Sequence, residues 1–162
     1  MKPSSNIKIK RMDRLIGNTR LPIIIADSGF RVPFYRYVEQ ALGWYWVGRI
    51  HNRDFISWQN TTDSWFSATS LYSKATPKPT CVGTVRWVRR CPLAAFLVLV
   101  RQPKKGRQRC NQSGQQSQSH HSKKQARREK EPWLLVASLS LQHFTAKQIT
   151  QLYQSRMQIE EG

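Results

Sequence analysis

The stretch that decides the fold is LPIIIADSGF, residues 21–30, where a run of isoleucines leads into an acidic residue and a turn. The continuous β-branched run Ile23–Ile25 predicts a short buried strand, and Pro22 suits a strand's first position. Asp27 follows directly, and the Ser-Gly pair after it predicts a turn. The sequence therefore places a carboxylate at the carboxyl end of a buried strand, where open α/β sheets gather their ligands.

A helix and a second strand follow this turn. PFYRYVEQALGW, residues 33–44, predicts the helix, because Pro33 suits its first turn, apolar residues recur at intervals of four, and Gly43 is placed for a C-cap. WYWVGRI, residues 44–50, predicts the strand. Strand, helix and strand with short connections are typical of an α/β fold with a parallel pair.

The middle of the chain has a different character. Residues 51–100 combine Thr/Ser-rich turns with the strand-like pieces CVGTVRWV and AAFLVLVR, which predict a β-rich insertion. Residues 102–130 are rich in Gln, Ser, Lys and Arg, and this low-complexity tract is either a solvated linker or a segment that folds against a polyanion. We divide the chain into a loose basic segment (1–20), a first core part (21–50), the insertion (51–100), a basic, disordered tract (101–131) and a second core part (132–162).

Regular structure returns at Pro132. PWLLVAS predicts a strand, and FTAKQITQLYQSRMQIEE predicts the strongest helix of the sequence. Thr145 and Gln148 have the spacing of a capping box, and Phe144 with Ile149 matches the hydrophobic staple around it. Two start signals therefore agree on where this helix begins.

Glu160 has an unusual position on that helix. At about 100° per residue, Tyr153, Arg156 and Glu160 lie within about 60° of one another on the apolar stripe. A carboxylate there needs a partner, which is either Arg156, four residues earlier, or a metal ion. Asp27 is likewise either a turn aspartate or a metal ligand, and the other acidic residues lack a comparable placement. A strand-end Asp and a helix-face Glu together are what a two-metal phosphoryl-transfer site requires.

The same residues carry a family resemblance. Tyr153-x-x-Arg156-x-x-x-Glu160 resembles the Y-(2)-R-(3)-E part of the YREK signature of bacterial insertion-sequence DDE transposases, and LYQSRMQIEEG after PWLLVASL resembles that family's C-terminal catalytic segment. IIADSGFRVPFY followed by LGWYWVGRI resembles its second-aspartate segment. The resemblance implies an α/β fold, a partial ribonuclease-H-like catalytic fold with a β-rich insertion and a basic low-complexity loop.

By resemblance, Asp27 is the second metal-binding carboxylate and Glu160 the third, and both are catalytic. Tyr153 and Arg156 are implied to contact DNA phosphates, a role that suits an aromatic ring and a guanidinium group. The implied chemistry is Mg²⁺-dependent hydrolysis of a DNA phosphodiester at transposon ends, followed by strand transfer to target DNA. Intact relatives act as dimers on DNA.

Two departures from the family pattern affect the expected activity. The family's first aspartate lies on an earlier strand, and Asp13, in a basic context, does not suit that role. The signature lysine falls six residues after Glu160, beyond Gly162. We therefore expect an internal or truncated piece of the catalytic domain that is inactive alone.

Charge supports a polyanionic partner. The chain has 27 Lys+Arg against nine Asp+Glu, for a formal net charge of +18, and such clusters bind nucleic acid by releasing condensed counterions. The alternative hypothesis is therefore a non-enzymatic, basic nucleic-acid-binding protein that uses the basic tract and exposed Trp and Tyr stacking. A membrane-surface protein is a third.

Nothing in the sequence predicts export or membrane insertion. The longest apolar run, Leu93–Val100, has eight residues, whereas about 20 are needed to span a bilayer. The N-terminus MKPSSNIKIKRMDRL has no apolar h-region. We expect a cytoplasmic protein, nucleoid-associated when it is bound to DNA.

The cysteines show no metal-binding spacing. Cys81, Cys91 and Cys110 form no CxxC pair, and His120 and His121 add only a loose scatter. Free thiols in a reducing compartment are the favoured interpretation, with zinc as the alternative.

Overall fold

The computed structural model describes residues 22–103 and 130–161, together with 113–115, 119–120, 123–124 and 127, and gives side chains as far as Arg156 in the last helix. The predicted loose segment 1–20 and most of the predicted tract 102–130 lie outside the described residues.

Within the described residues, seven strands form one sheet. They are β1 (Ile23–Ile25), β2 (Tyr45–Arg49), β3 (Phe55–Trp58), β4 (Phe66–Ser67), β5 (Thr80–Trp87), β6 (Leu93–Val100) and β7 (Trp133–Ala137). Their order is β1-β2-β7-β6-β5-β3-β4. The pair β1–β2 is parallel, and the other pairs are antiparallel. The helices whose bounds lie within the described residues are α1 (Val32–Gln40) and α2 (Ala146–Glu161), with short 3₁₀ segments at Ala68–Lys74 and Leu139–Leu141.

The predicted strand–helix–strand unit with a parallel pair is confirmed. Helix α1 has Pro33 in its first turn, where the missing backbone N–H costs no hydrogen bond. It ends at Gln40 with Ala41 as its C-cap, so Gly43 does not cap the helix as predicted. Gly43 instead has φ +66° in the connection to β2, a left-handed conformation that glycine adopts without steric cost.

The strands of residues 51–100 extend the same sheet as the core strands. β6 pairs with β7 along five residues, and β5, β3 and β4 follow it in order. β6 is buried along nearly its whole length, which agrees with its unbroken apolar sequence. The predicted strands CVGTVRWV and AAFLVLVR are β5 and β6.

The two helices pack on different apolar clusters. Because side chains alternate along a strand, Trp46 and Val136 belong to the cluster that includes α1, whereas Val47 and Leu135 belong to the one that includes α2. The sheet is therefore covered by α1 on one face and by α2 on the other.

The predicted capping box of α2 is confirmed. The Thr145 backbone N–H donates to Gln148 Oε1 at 2.8 Å, and the Gln148 N–H donates to Thr145 Oγ1 at 3.2 Å. Phe144 and Ile149 both pack in the α2 cluster. Among the described residues, no helix combines the length and apolar character needed to cross a membrane.

Candidate active site

Asp27 lies where the sequence placed it, just beyond the end of β1. The N–H of Ala26 donates to the Val47 carbonyl at 3.0 Å, which extends the strand pairing to the residue before Asp27. Asp27 Oδ1 accepts the Gly29 N–H at 2.9 Å, and its carbonyl accepts the Phe30 N–H at 3.3 Å. Asp27 therefore holds the turn, and its side chain remains 44% exposed.

Helix α2 reaches Asp27 through Arg156. The guanidinium Nη2 of Arg156 lies 3.1 Å from Asp27 Oδ2, a contact between residues 129 positions apart. The alternative we considered from the sequence, an Arg156–Glu160 pair, involves a side chain outside the described part. The structure thus joins the two blocks of sequence at one end of β1.

A buried tyrosine lies beneath the Asp27 turn. Tyr35, on α1, is fully buried and donates from Oη to the Asp27 carbonyl at 3.4 Å. Burial raises the pKa of Tyr35 well above its usual range, and the neighbouring Tyr153 and Asp27 raise it further. The hydroxyl is consequently a neutral donor at any physiological pH.

Tyr153 is a packing residue of α2 in this arrangement. It is 2% exposed and contacts Trp133 edge-to-face, with ring centroids 5.0 Å apart. Burial raises the pKa of Tyr153, while Arg49 and Arg156 act in the opposite direction. That Tyr153 contacts DNA phosphates stays a prediction.

Glu160 lies in the last turns of α2, whose backbone continues to Glu161. Four residues after Arg156, it is about 6 Å further along the helix axis. Its side chain lies outside the described residues, so its predicted role as a metal ligand stays a prediction.

The described part of the site offers one ligand to a divalent cation. Among the side chains that the structure describes, no group of three or more His, Cys, Asp or Glu could hold a metal. Asp27 is a hard oxygen donor, and each of its oxygens has one hydrogen-bond contact described above. Since a carboxylate has about four acceptor positions, the exposed Asp27 fits a Mg²⁺ ligand but needs further carboxylates beside it.

Asp54 is a buried acid whose importance the sequence did not reveal. It is 7% exposed, and its Oδ2 accepts Trp87 Nε1–H at 2.9 Å and the His51 N–H at 3.3 Å. Its carbonyl accepts the Ala68 N–H at 3.0 Å. The turn-like sequence HNRDF gives no sign of a partner 33 residues away, so no local signal could have found this anchor.

The tryptophans and cysteines bear on the alternative functions. All six tryptophans lie within the described residues and are buried or half-buried, as are all five tyrosines. Exposed Trp and Tyr stacking therefore does not support the nucleic-acid-binding alternative. Cys81 and Cys91 are free and exposed, whereas Cys110 lies outside the described residues.

Comparison with known proteins identifies one family. The family model described as "Transposase DDE domain" matches residues 6–162. No curated protein and no solved structure matches the chain.

Proposed function

Because the chain belongs to the transposase DDE domain family, we propose that it provides part of the catalytic site for the phosphoryl-transfer chemistry of DNA transposition. Its substrate is DNA, and the family typically uses a divalent metal. The proposed reaction is Mg²⁺-dependent hydrolysis of a phosphodiester at a transposon end, followed by attack of the freed 3′-hydroxyl on target DNA, with the protein acting as a dimer.

The contact between Arg156 and Asp27 carries this proposal. Helix α2, which contains the predicted ligand Glu160, packs against the sheet so that Arg156 meets the carboxylate at the end of β1. One turn of helix separates Arg156 from Glu160. This arrangement supports the proposal that the predicted ligands of one metal site lie at the same end of the sheet.

In the proposal, Asp27 and Glu160 would hold Mg²⁺, which would supply Lewis-acid stabilisation of the phosphodiester and its leaving oxygen. Arg156 then has two states. Without metal or DNA its guanidinium neutralises Asp27, and in the complex it turns to a DNA phosphate, a group that suits its planar donors. The arginine is 21% exposed, so it reaches solvent from its present position.

The alternative, a non-enzymatic DNA-binding protein, also has an observation in its favour. Arg156 already occupies one oxygen of Asp27, as a purely structural ion pair would. The two functions differ in whether a divalent cation reaches Asp27, and this difference can be measured without any catalytic turnover.

The test uses Mn²⁺ as a paramagnetic probe for the full-length ¹⁵N-labelled chain. We expect the amide signals of Gly29 and Phe30 to broaden first, because both N–H groups donate to Asp27. Asp27→Asn should abolish this selective broadening. Arg156→Gln should show the same selective broadening at an about fivefold lower Mn²⁺ concentration, because the metal no longer competes with the ion pair for Asp27. A half-exposed ion pair is worth up to about 1 kcal/mol.

A control variant and three possible outcomes complete the Mn²⁺ test. Lys147→Gln removes an exposed positive charge from the start of the same helix and should leave the titration unchanged. If the Gly29 and Phe30 amide signals of Asp27→Asn broaden as those of the parent chain do, the metal assignment is wrong. Salt-sensitive DNA binding without any Mn²⁺ effect at Gly29 would favour the binding protein. In a background that supplies the family's first aspartate, Mg²⁺-dependent nicking of supercoiled DNA that Asp27→Asn abolishes would support the transposase activity.

A further inference from the structure

A second charged feature lies at the start of α1. A pocket of about 170 Å³ opens between the first turn of α1 and the β5–β6 connection. Of the described residues, Arg31, Arg36 and Arg90 line it together with Asp54 and Trp87. Since one water occupies about 30 Å³ of liquid, this arginine pocket admits a group of several heavy atoms.

The walls of the arginine pocket are held in place. The Arg36 guanidinium donates to the carbonyls of Cys91 and Pro92, which ties the β5–β6 connection to α1. Val88 and Cys91 have φ of 62° and 53°, a left-handed conformation that a β-branched residue rarely adopts. Such a backbone persists only where its surroundings hold it. The backbone of the β5–β6 connection and the Arg36 side chain are therefore held in place before a ligand binds.

The charge of the arginine pocket favours an anion. Arg31 and Arg90 are exposed, and Arg36 is half-buried. Asp54 is the opposing charge, but its Oδ2 already accepts two hydrogen bonds, from Trp87 and His51. The lining retains a surplus of positive charge, and guanidinium groups match the oxygens of a phosphate in geometry as well as in charge.

The pocket is also close to Asp27 along the chain. Arg31 follows Asp27 by four residues, through the turn that the Phe30 N–H closes on the Asp27 carbonyl. Four residues span at most about 14 Å, which corresponds to about four nucleotides at about 3.4 Å each. The backbone of Arg31 therefore lies within a few nucleotides' length of a phosphodiester placed at Asp27.

We propose that the arginine pocket binds a backbone phosphate of the DNA strand that reacts at Asp27, a few nucleotides from the reacting bond. The proposal rests on the proposed function for the identity of the strand. Free inorganic phosphate offers the same chemistry. The chain's net charge of +18 favours the polymer, because polyanion binding gains from counterion release.

Two cysteines allow a test that needs no substitution. Cys91 lines the pocket, and Cys81, on β5, is equally free and exposed but is not among its lining residues. Alkylation by N-ethylmaleimide, followed by peptide mass spectrometry, gives a rate for each thiol. We expect a mixed-sequence DNA duplex to slow the alkylation of Cys91 in proportion to the fraction of protein bound. The alkylation rate of Cys81 should be unaffected. Equal protection of both thiols, or none at Cys91, overturns the proposal.

Charge removal provides the second test. Arg31→Gln/Arg90→Gln should weaken DNA binding by about tenfold, the loss expected for charge-assisted hydrogen bonds to one phosphate, and should reduce the salt slope of binding by about one. Lys74→Gln/Lys78→Gln removes two exposed charges outside the pocket and should have a smaller effect. Fluorescence anisotropy over a range of salt concentrations measures both, and equal losses in the two double variants contradict the proposal.

Two further measurements distinguish a DNA phosphate from free inorganic phosphate as the ligand, and the pocket proposal from the metal-site proposal. Inorganic phosphate at constant ionic strength could raise the melting temperature of the parent chain but not that of Arg31→Gln/Arg90→Gln. If it does, and both double variants bind DNA with the same affinity, the pocket is a free-phosphate site and the proposal is wrong. The Mn²⁺ titration at Gly29 should be unchanged in Arg31→Gln/Arg90→Gln. Selective Cys91 protection without Mn²⁺ binding would support the pocket while removing the metal site, so the two failures are distinguishable.

Discussion

The close approach of Gly48 to Tyr35 makes a sharp prediction about stability. A Cβ at position 48 would lie 2.3 Å from Tyr35 Oη and 2.7 Å from Cζ. Non-bonded heavy atoms prefer about 3.5 Å, so the hydroxyl would have to move by about 1 Å. Tyr35 cannot yield easily, because its ring packs against Trp46 and Trp87 with centroids 4.7 and 5.3 Å away.

The expected cost of Gly48→Ala follows from these contacts. Overpacking of this kind costs up to about 3 kcal/mol, and the lower chain entropy of the unfolded alanine variant offsets up to about 1 kcal/mol. We therefore expect the free energy of unfolding to fall by about 2 kcal/mol, as measured by urea denaturation with tryptophan fluorescence. The Asp27 turn should be perturbed as well, because Tyr35 Oη donates to the Asp27 carbonyl.

A double-mutant cycle separates this clash from other effects. Tyr35→Phe removes the nearest atom, so Gly48→Ala should cost about half as much when it is combined with Tyr35→Phe, a coupling of about 1 kcal/mol. Gly43→Ala is the control, because its cost comes from φ +66° with no atom near the new Cβ and should be the same with and without Tyr35→Phe. The reasoning is refuted if the free energy of unfolding of Gly48→Ala lies within about 0.5 kcal/mol of that of the parent chain. It is also refuted if Tyr35→Phe does not reduce the cost of Gly48→Ala.

Two further predictions concern the helices. Thr145→Ala should lower the free energy of unfolding in urea by about 1 kcal/mol, because it removes the capping oxygen that accepts the Gln148 N–H, whereas Lys147→Ala should change it little. For Glu39 of α1, burial raises the pKa, opposed in part by Arg36. A raised folded-state pKa gives stability that is present below the ordinary glutamate pKa and is lost as pH rises through the folded value. Glu39→Gln should therefore stabilise the protein at neutral pH but not in acid, and a pH-independent difference would contradict this.

Local signals in the sequence predicted much of the fold. Three consecutive isoleucines, the proline in the first turn of α1, and the reciprocal capping pair Thr145 and Gln148 each act over a few residues, and the structure confirms the strand and the helices they predict. The strand β1 is half-buried rather than buried as predicted, because it stands at the end of the strand order with one neighbour. The predicted C-cap at Gly43 is wrong, because the helix ends at Gln40 with Ala41 as its C-cap, and Gly43 lies in the connection that follows. Boundaries of this kind depend on competing local conformations of similar energy.

The candidate site was predicted in part. The sequence placed Asp27 at a strand end and Arg156 on the inward face of α2, but it did not indicate that these two side chains meet. The contact between Arg156 and Asp27 depends on how α2 crosses the sheet, which side-chain periodicity does not specify. Asp54 was missed for the same reason, since its partner Trp87 is brought near by strand pairing.

The sequence by itself determined the strands and helices, the basic charge and the candidate acid at the end of β1. These features follow from residue propensity, periodicity and composition. Only the tertiary structure decided which distant groups meet. The close approach of Tyr35 to Gly48, the Arg156–Asp27 pair and the convergence of Arg31 and Arg90 on one pocket all join residues from separate elements. Such contacts arise from sheet order and packing of the helices, and no local stretch of sequence encodes them.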